Sequence, residues 1–70
     1  AEAILYLRFA DDRERKTADL IINNHDIRLD QYDFEFEEDI SEYIEEGSNS
    51  LKIEADNILE LSEIKIKFES

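Results

Sequence analysis

Apolar and charged residues alternate strictly along much of this chain. The pattern runs over 32–37 (Tyr32, Phe34, Phe36 against Asp33, Glu35, Glu37), over 51–55 (Leu51, Ile53, Ala55 against Lys52, Glu54) and over 64–68 (Ile64, Ile66, Phe68 against Lys65, Lys67). Successive side chains of a strand point to opposite faces, so a period of two gives one apolar face and one solvated face. The pattern therefore predicts β-strands and leaves room for no helix longer than a turn or two. It also argues against disorder, the first alternative for a chain with twenty acids, eight bases and a net charge of −12.

The segment 3–9 is apolar on both faces. Leu5, Leu7 and Phe9 share one side; Ile4, Tyr6 and Arg8 share the other. That predicts a central strand, or one whose outer face meets something. The polar stretch 10–17 reads as a loop. Residues 18–29 predict a hairpin with a two-residue turn at Asn23-Asn24, pairing Ile22 with His25, Leu20 with Ile27 and Ala18 with Leu29. The same register sets Asp19 opposite Arg28, an opposite-charge cross-strand pair. Asparagine tolerates the positive φ that a type I′ turn needs. Counting the alternations gives six strands separated by turn signals, the mark of a small antiparallel β-sandwich of jelly-roll-like form.

The single glycine, Gly47, follows one short stretch of different spacing. Ile40, Tyr43 and Ile44 fall at i, i+3, i+4, so they form one face of a helical turn over about residues 39–45. Asp39 is placed to cap it, with Glu42 completing a capping box. Gly47 supplies a left-handed residue past its end, and Asn49 holds the reversal. The turn then plugs one end of the sandwich. Exposed lysines at 65 and 67 are expected near the acidic row 33–37.

Seventy residues without cysteine make one domain, 1–70, with no disulfide framework and no thiolate metal site. No apolar run approaches the roughly 20 residues that span a bilayer, and the N-terminus has no signal-peptide pattern. A start at Ala1 fits an excised domain or a processed product. The charge excludes neutralising nucleic-acid phosphates and argues against anionic membranes.

The order of these elements resembles the galactose-binding-domain-like β-sandwiches, which include jelly-roll accessory modules of glycoside hydrolases and many surface-protein modules. The resemblance spans Ala18 to Phe68. It rests on the asparagine turn, where Asn23-Asn24 replaces the usual Asn-Gly, and on Asp39, Ile40, Tyr43, Gly47, Asn49, Leu51 and Ile53. Members of that fold are commonly about twice as long, so either loops that usually form the ligand site are missing here or the fold is a pared-down relative. The resemblance implies the sandwich fold and suggests sugar binding.

Little here points to catalysis. His25, the lone histidine, reads as a polar residue beside a hairpin tip, although a lone histidine can also be a ligand or a pH-sensitive group. Carboxylates that alternate on an exposed strand face are solvated, whereas a glycosidase needs two facing each other across a cleft. Residues 30–46 hold nine acids and no base. They fit a solvated face that deters edge pairing, a calcium site or an electrostatic contact with a basic protein. Glu37, Glu38 and Asp39 are the calcium candidates, with Asp11-Asp12 and Asp56-Asn57 in other loops. Ile4, Tyr6 and Ile21 would form an apolar contact spot if their strands adjoin, and Tyr6 is the one candidate platform for a sugar ring.

The function expected is a non-catalytic binding or spacer module of a larger extracellular or cell-surface protein. It would make protein or carbohydrate contacts, with structural calcium as one component. The alternative is an acidic inhibitor or regulator that binds a basic protein by mimicking nucleic acid.

Overall fold

A computed structural model of the chain describes residues 2–69. Six strands run in order: β1 Glu2–Phe9, β2 Lys16–Ile22, β3 His25–Gln31, β4 Glu35–Asp39, β5 Leu51–Ala55 and β6 Leu61–Glu69, with one 3-10 turn at Ser41–Tyr43 between β4 and β5. They form two three-stranded antiparallel sheets, β4-β1-β6 and β3-β2-β5. The fold is a small β-sandwich, as the alternation predicts.

The most apolar strands sit in the middle of each sheet. Leu5, Leu7 and Phe9 of β1 meet Ala18, Leu20 and Ile22 of β2, with Leu29 and Ile40 completing the buried core. Each fully buried aliphatic side chain contributes roughly 1.5–3 kcal/mol relative to exposure. The two outer strands of each sheet contribute mostly half-buried residues, such as Ile27, Phe36, Ile53 and Ile66.

The hairpin has the predicted register: Ile22 opposes His25, Leu20 opposes Ile27, Ala18 opposes Leu29 and Asp19 opposes Arg28. Asn23 and Asn24 both have positive φ, 48° and 73°, as a type I′ turn demands.

Four expectations are corrected. First, Tyr32 and Phe34 are not strand residues facing the core; they are 58% and 38% exposed. The chain must pass from one sheet to the other between β3 and β4, and residues 32–34 form that arch. Gln31 holds it by donating from Nε2 to the carbonyls of Asp33 and Glu35 at 3.1 and 2.7 Å. Only Phe36 of the three aromatics packs inward. Second, β2 begins within the stretch read as loop, at Lys16.

Third, the helical turn is shorter than expected and lacks a capping box. Ile40 precedes it and no side chain caps it. Asp39 instead accepts from the backbone N–H and the hydroxyl of Ser41, at 2.9 and 2.6 Å. Gly47 has φ of 88° but lies in a separate bend beyond the turn. Fourth, Ile64 and Phe68 share a face with Ile66 yet remain 49% and 68% exposed. Ala55 is exposed too. These residues belong to edge strands, where the facing sheet is too narrow to cover them.

The plug itself forms. Ile40 is fully buried, and Tyr43 and Ile44 pack against the core. His25 stacks on Tyr43, with ring centroids 4.8 Å apart, so it belongs to this closure.

Candidate functional site

The outer face of the β4-β1-β6 sheet carries Ile4, Tyr6 and Arg8 in its middle row. Tyr6 opposes Glu37 on one flank and Lys65 on the other. It is not an open platform for a sugar. Its hydroxyl donates to Glu35 Oε2 at 2.9 Å, and the ammonium groups of Lys65 and Lys67 lie 4.9 and 5.8 Å from the ring centroid. Only 7% of Tyr6 is exposed. The hydrogen bond to Glu35, with desolvation added, raises the phenol above its usual pKa. The lysines do not pair with the acidic row 33–37, because β1 stands between β6 and β4. Lys65 instead approaches Glu63 at 3.9 Å.

Ile21 faces outward from the other sheet, between Asp26 and Lys52. β1 and β2 are the centres of different sheets, so Ile4 and Tyr6 lie on one outer surface and Ile21 on the opposite one. The three do not make one patch.

Strand geometry also separates the calcium candidates. Glu38 opposes Leu5 and so points to the inner side of β4, whereas Glu37 and Asp39 point outward. Among the described residues, no three acidic or histidine side chains converge as a metal site would require. Asp39 is engaged by Ser41, which lowers its pKa. Asp11 accepts the backbone N–H groups of Arg13 and Glu14, which lowers its own. Asp56 is engaged by Arg28, which also holds Asp19 at 3.1 Å and so spans β2, β3 and the end of β5. That hydrogen bond lowers the Asp56 pKa and helps raise that of Arg28. Arg15 grips Asp30 with two hydrogen bonds of 2.8 Å and lowers its pKa.

The two ends of the sandwich are closed by different chemistry. Lys16, only 5% exposed, seals the end where three of the four sheet-to-sheet connections cross, those after β1, β3 and β5. Its Nζ donates to the carbonyls of Glu14 and Tyr32, at 2.8 and 2.6 Å, and lies 3.8 Å from Asp11. At the other end the hairpin tip is fastened to the 45–50 loop. Asn23 Nδ2 donates to the Tyr43 carbonyl and to Asn49 Oδ1, while Asn23 Oδ1 accepts the Ser50 N–H. Asn49 also closes the loop on itself through the N–H and carbonyl of Glu45. Asn23 and Asn49 thus fasten the hairpin tip to the loop, Gly47 lies in a separate bend past the 3-10 turn, and Asp39 braces Ser41 rather than capping a helix.

A shallow cleft of about 740 Å³ lies at the arch end, lined by Arg8, Phe9, Phe34, Asp11, Asp12 and Ser62. Arg8 lies over the Phe34 ring at 5.4 Å. The carboxylates beside that guanidinium make the cleft a poor receptor for an anion.

The surface with the greatest apolar exposure on regular structure is β6. It pairs with β1 along one edge, and among the described residues its other edge has no partner. Its inner row, Ile64, Ile66 and Phe68, is only partly covered. Phe68 also lines a small cleft of about 240 Å³ with Ala3 and Ile44. Sequence reasoning assigned this row to the core. The signal that marks it as an edge is its outer row, Glu63, Lys65, Lys67 and Glu69, whose charges balance. Lys16 was missed because it stands in a charged run that reads as solvated loop. No known protein family, curated protein or solved structure matches this chain.

Proposed function

We infer that this chain is a non-catalytic contact or spacer module of a larger protein, with extracellular or cell-surface placement as the working reading. One observation carries it: the inner row of β6 leaves Ile64 and Phe68 49% and 68% exposed, the large apolar residues left open on a regular strand, whereas the exposed Tyr32, Phe34 and Ile58 lie in connections. Large apolar side chains held in line on a rigid strand suit a protein contact better than solvent. The carbohydrate and calcium components of the sequence reading lose their footing, since Tyr6 is covered and the acids of β4 diverge.

A second reading draws on β4. Glu35, Glu37 and Asp39 form an outward row, repeating at about 6.8 Å, and β4 has no base. Such a row favours an acidic mimic of nucleic acid that binds a basic protein. Two measurements separate the readings. The neutral apolar dye Nile red should bind the wild type, and Phe68→Ser should abolish that binding without moving the melting temperature. Binding of a basic DNA-binding protein that falls steeply with salt, and is unchanged by Phe68→Ser, would select the mimic and overturn the contact module.

A further inference from the structure

We propose that the partner of this contact surface is a second copy of the chain, joined antiparallel through the free edge of β6 about Lys65; the proposal rests on the contact reading above. The two outer edges of the same sheet are built differently. β4 carries Glu35, Glu37, Glu38 and Asp39 with no base. Two such edges would repel, which is how natural sheets block edge pairing. β6 is longer, and its outer row reads Glu63, Lys65, Lys67, Glu69, with no net charge. The acids of β4 lie on the far edge of the sheet, with β1 between them and β6.

Strand length and the order of charges together select a register, since only an axis at Lys65 pairs the whole of Leu61–Glu69 with its copy. With Lys65 on the twofold axis, Glu63 stands opposite the partner's Lys67, and symmetry repeats the pair. Opposite-charge residues directly across an antiparallel ladder are stabilising. On the other face Ile64 stands opposite the partner's Ile66, so the exposed apolar row gains cover. Shifting the axis to Ile66 would oppose Glu63 to the partner's Glu69 and Lys65 to the partner's Lys67, placing like charges together. The Lys65 residues meeting on the axis are each already committed, with Nζ 4.9 Å from the Tyr6 ring centroid and 3.9 Å from Glu63. Edge lysines often guard against pairing. Here they are drawn over Tyr6, which leaves the backbone edge accessible. The product is an isologous dimer with one continuous sheet, β4-β1-β6 extended through its twofold copy.

Sedimentation equilibrium over a wide concentration range, with charge-swapped variants, tests this. The wild type should dimerise. Lys67→Glu sets acid against acid and should weaken the dimer at least tenfold, without changing the melting temperature at concentrations low enough for both proteins to be monomeric. The double variant Glu63→Lys/Lys67→Glu restores the opposite-charge pair and should restore the dimer. A dimer indifferent to Lys67→Glu, or one the double variant fails to rescue, would overturn the register. A wild type that stays monomeric throughout would overturn self-pairing. If that monomer still binds Nile red through Phe68, the contact reading survives; without dye binding both readings fall.

Discussion

The two long sides of the sandwich solve the same problem in opposite ways. On one side β3 and β4, joined by the arch at 32–34, are closed by apolar packing and polar fastening. Leu29 is fully buried, Ile27 and Phe36 pack on the core, Gln31 ties the arch and Arg15 grips Asp30. On the other side β5 and β6 present Leu51, Ile53 and Ile66 half-buried and leave Ala55, Ile64 and Phe68 open. Charge follows the same division. The closed side is bordered by the acidic strand β4, whereas the outer row of β6 is neutral. A domain this small cannot cover both sides of two three-stranded sheets, because surface outruns volume as a chain shortens. The difference shows where the uncovered area was placed, and that it was placed where charge does not forbid contact.

The largest expected effect contrasts the sides directly. Leu29→Ala removes a fully buried side chain and should cost about 2–5 kcal/mol in a urea melt. Ile64→Ala, on the same kind of inward row but half exposed, should cost less than about 1.5 kcal/mol. Equal costs would mean that the β6 row is core, and the contrast between the sides would be lost.

A smaller effect tests the loop that carries the chain from the closed side to the open one. At Gly47 an added Cβ would meet nothing within 4 Å, so any cost is backbone strain from its φ of 88°. Gly47→Val should destabilise by about 1–3 kcal/mol. A neutral result in the same melt would show that the 45–50 loop relaxes freely and that Asn49 does not hold it.

Acid should separate the fastenings on the two sides by the least. The pKa values of Asp30 and Asp56 are depressed in the fold, each first by its arginine partner. The stability they contribute is present above the unfolded value, about 3.9, and is lost as pH falls through the lower folded values. Both sites are exposed, so the change is modest. Thermal melts between neutral pH and pH 3 should show a smaller acid loss for Asp30→Asn and for Asp56→Asn than for the wild type. Arg28 bridges to Asp19 as well as to Asp56. β5 is held by its ladder to β2, so Asp56→Asn should leave it attached, and a frayed β5 in amide exchange would contradict that.

Much of this fold was legible in residue order because strands write their faces with a period of two. The alternations, the central character of β1 and the hairpin register through Asn23-Asn24 all follow from side-chain direction and turn conformation, which are local properties. The plug at Ile40, Tyr43 and Ile44 was legible for the same reason, though its cap was not. Local rules do not state which strands share a sheet. That choice put Ile21 on the opposite surface from Ile4 and Tyr6, and it put β1 between Lys65 and the acids of β4. It also turned Tyr32 and Phe34 into an arch. Nor does alternation tell a covered inner row from an uncovered one, since Ile64 and Leu7 obey the same period. Burial depends on what stands across the sandwich, and only the packing of the two sheets decided that Lys16 would be sealed inside while Phe68 would remain in contact with water.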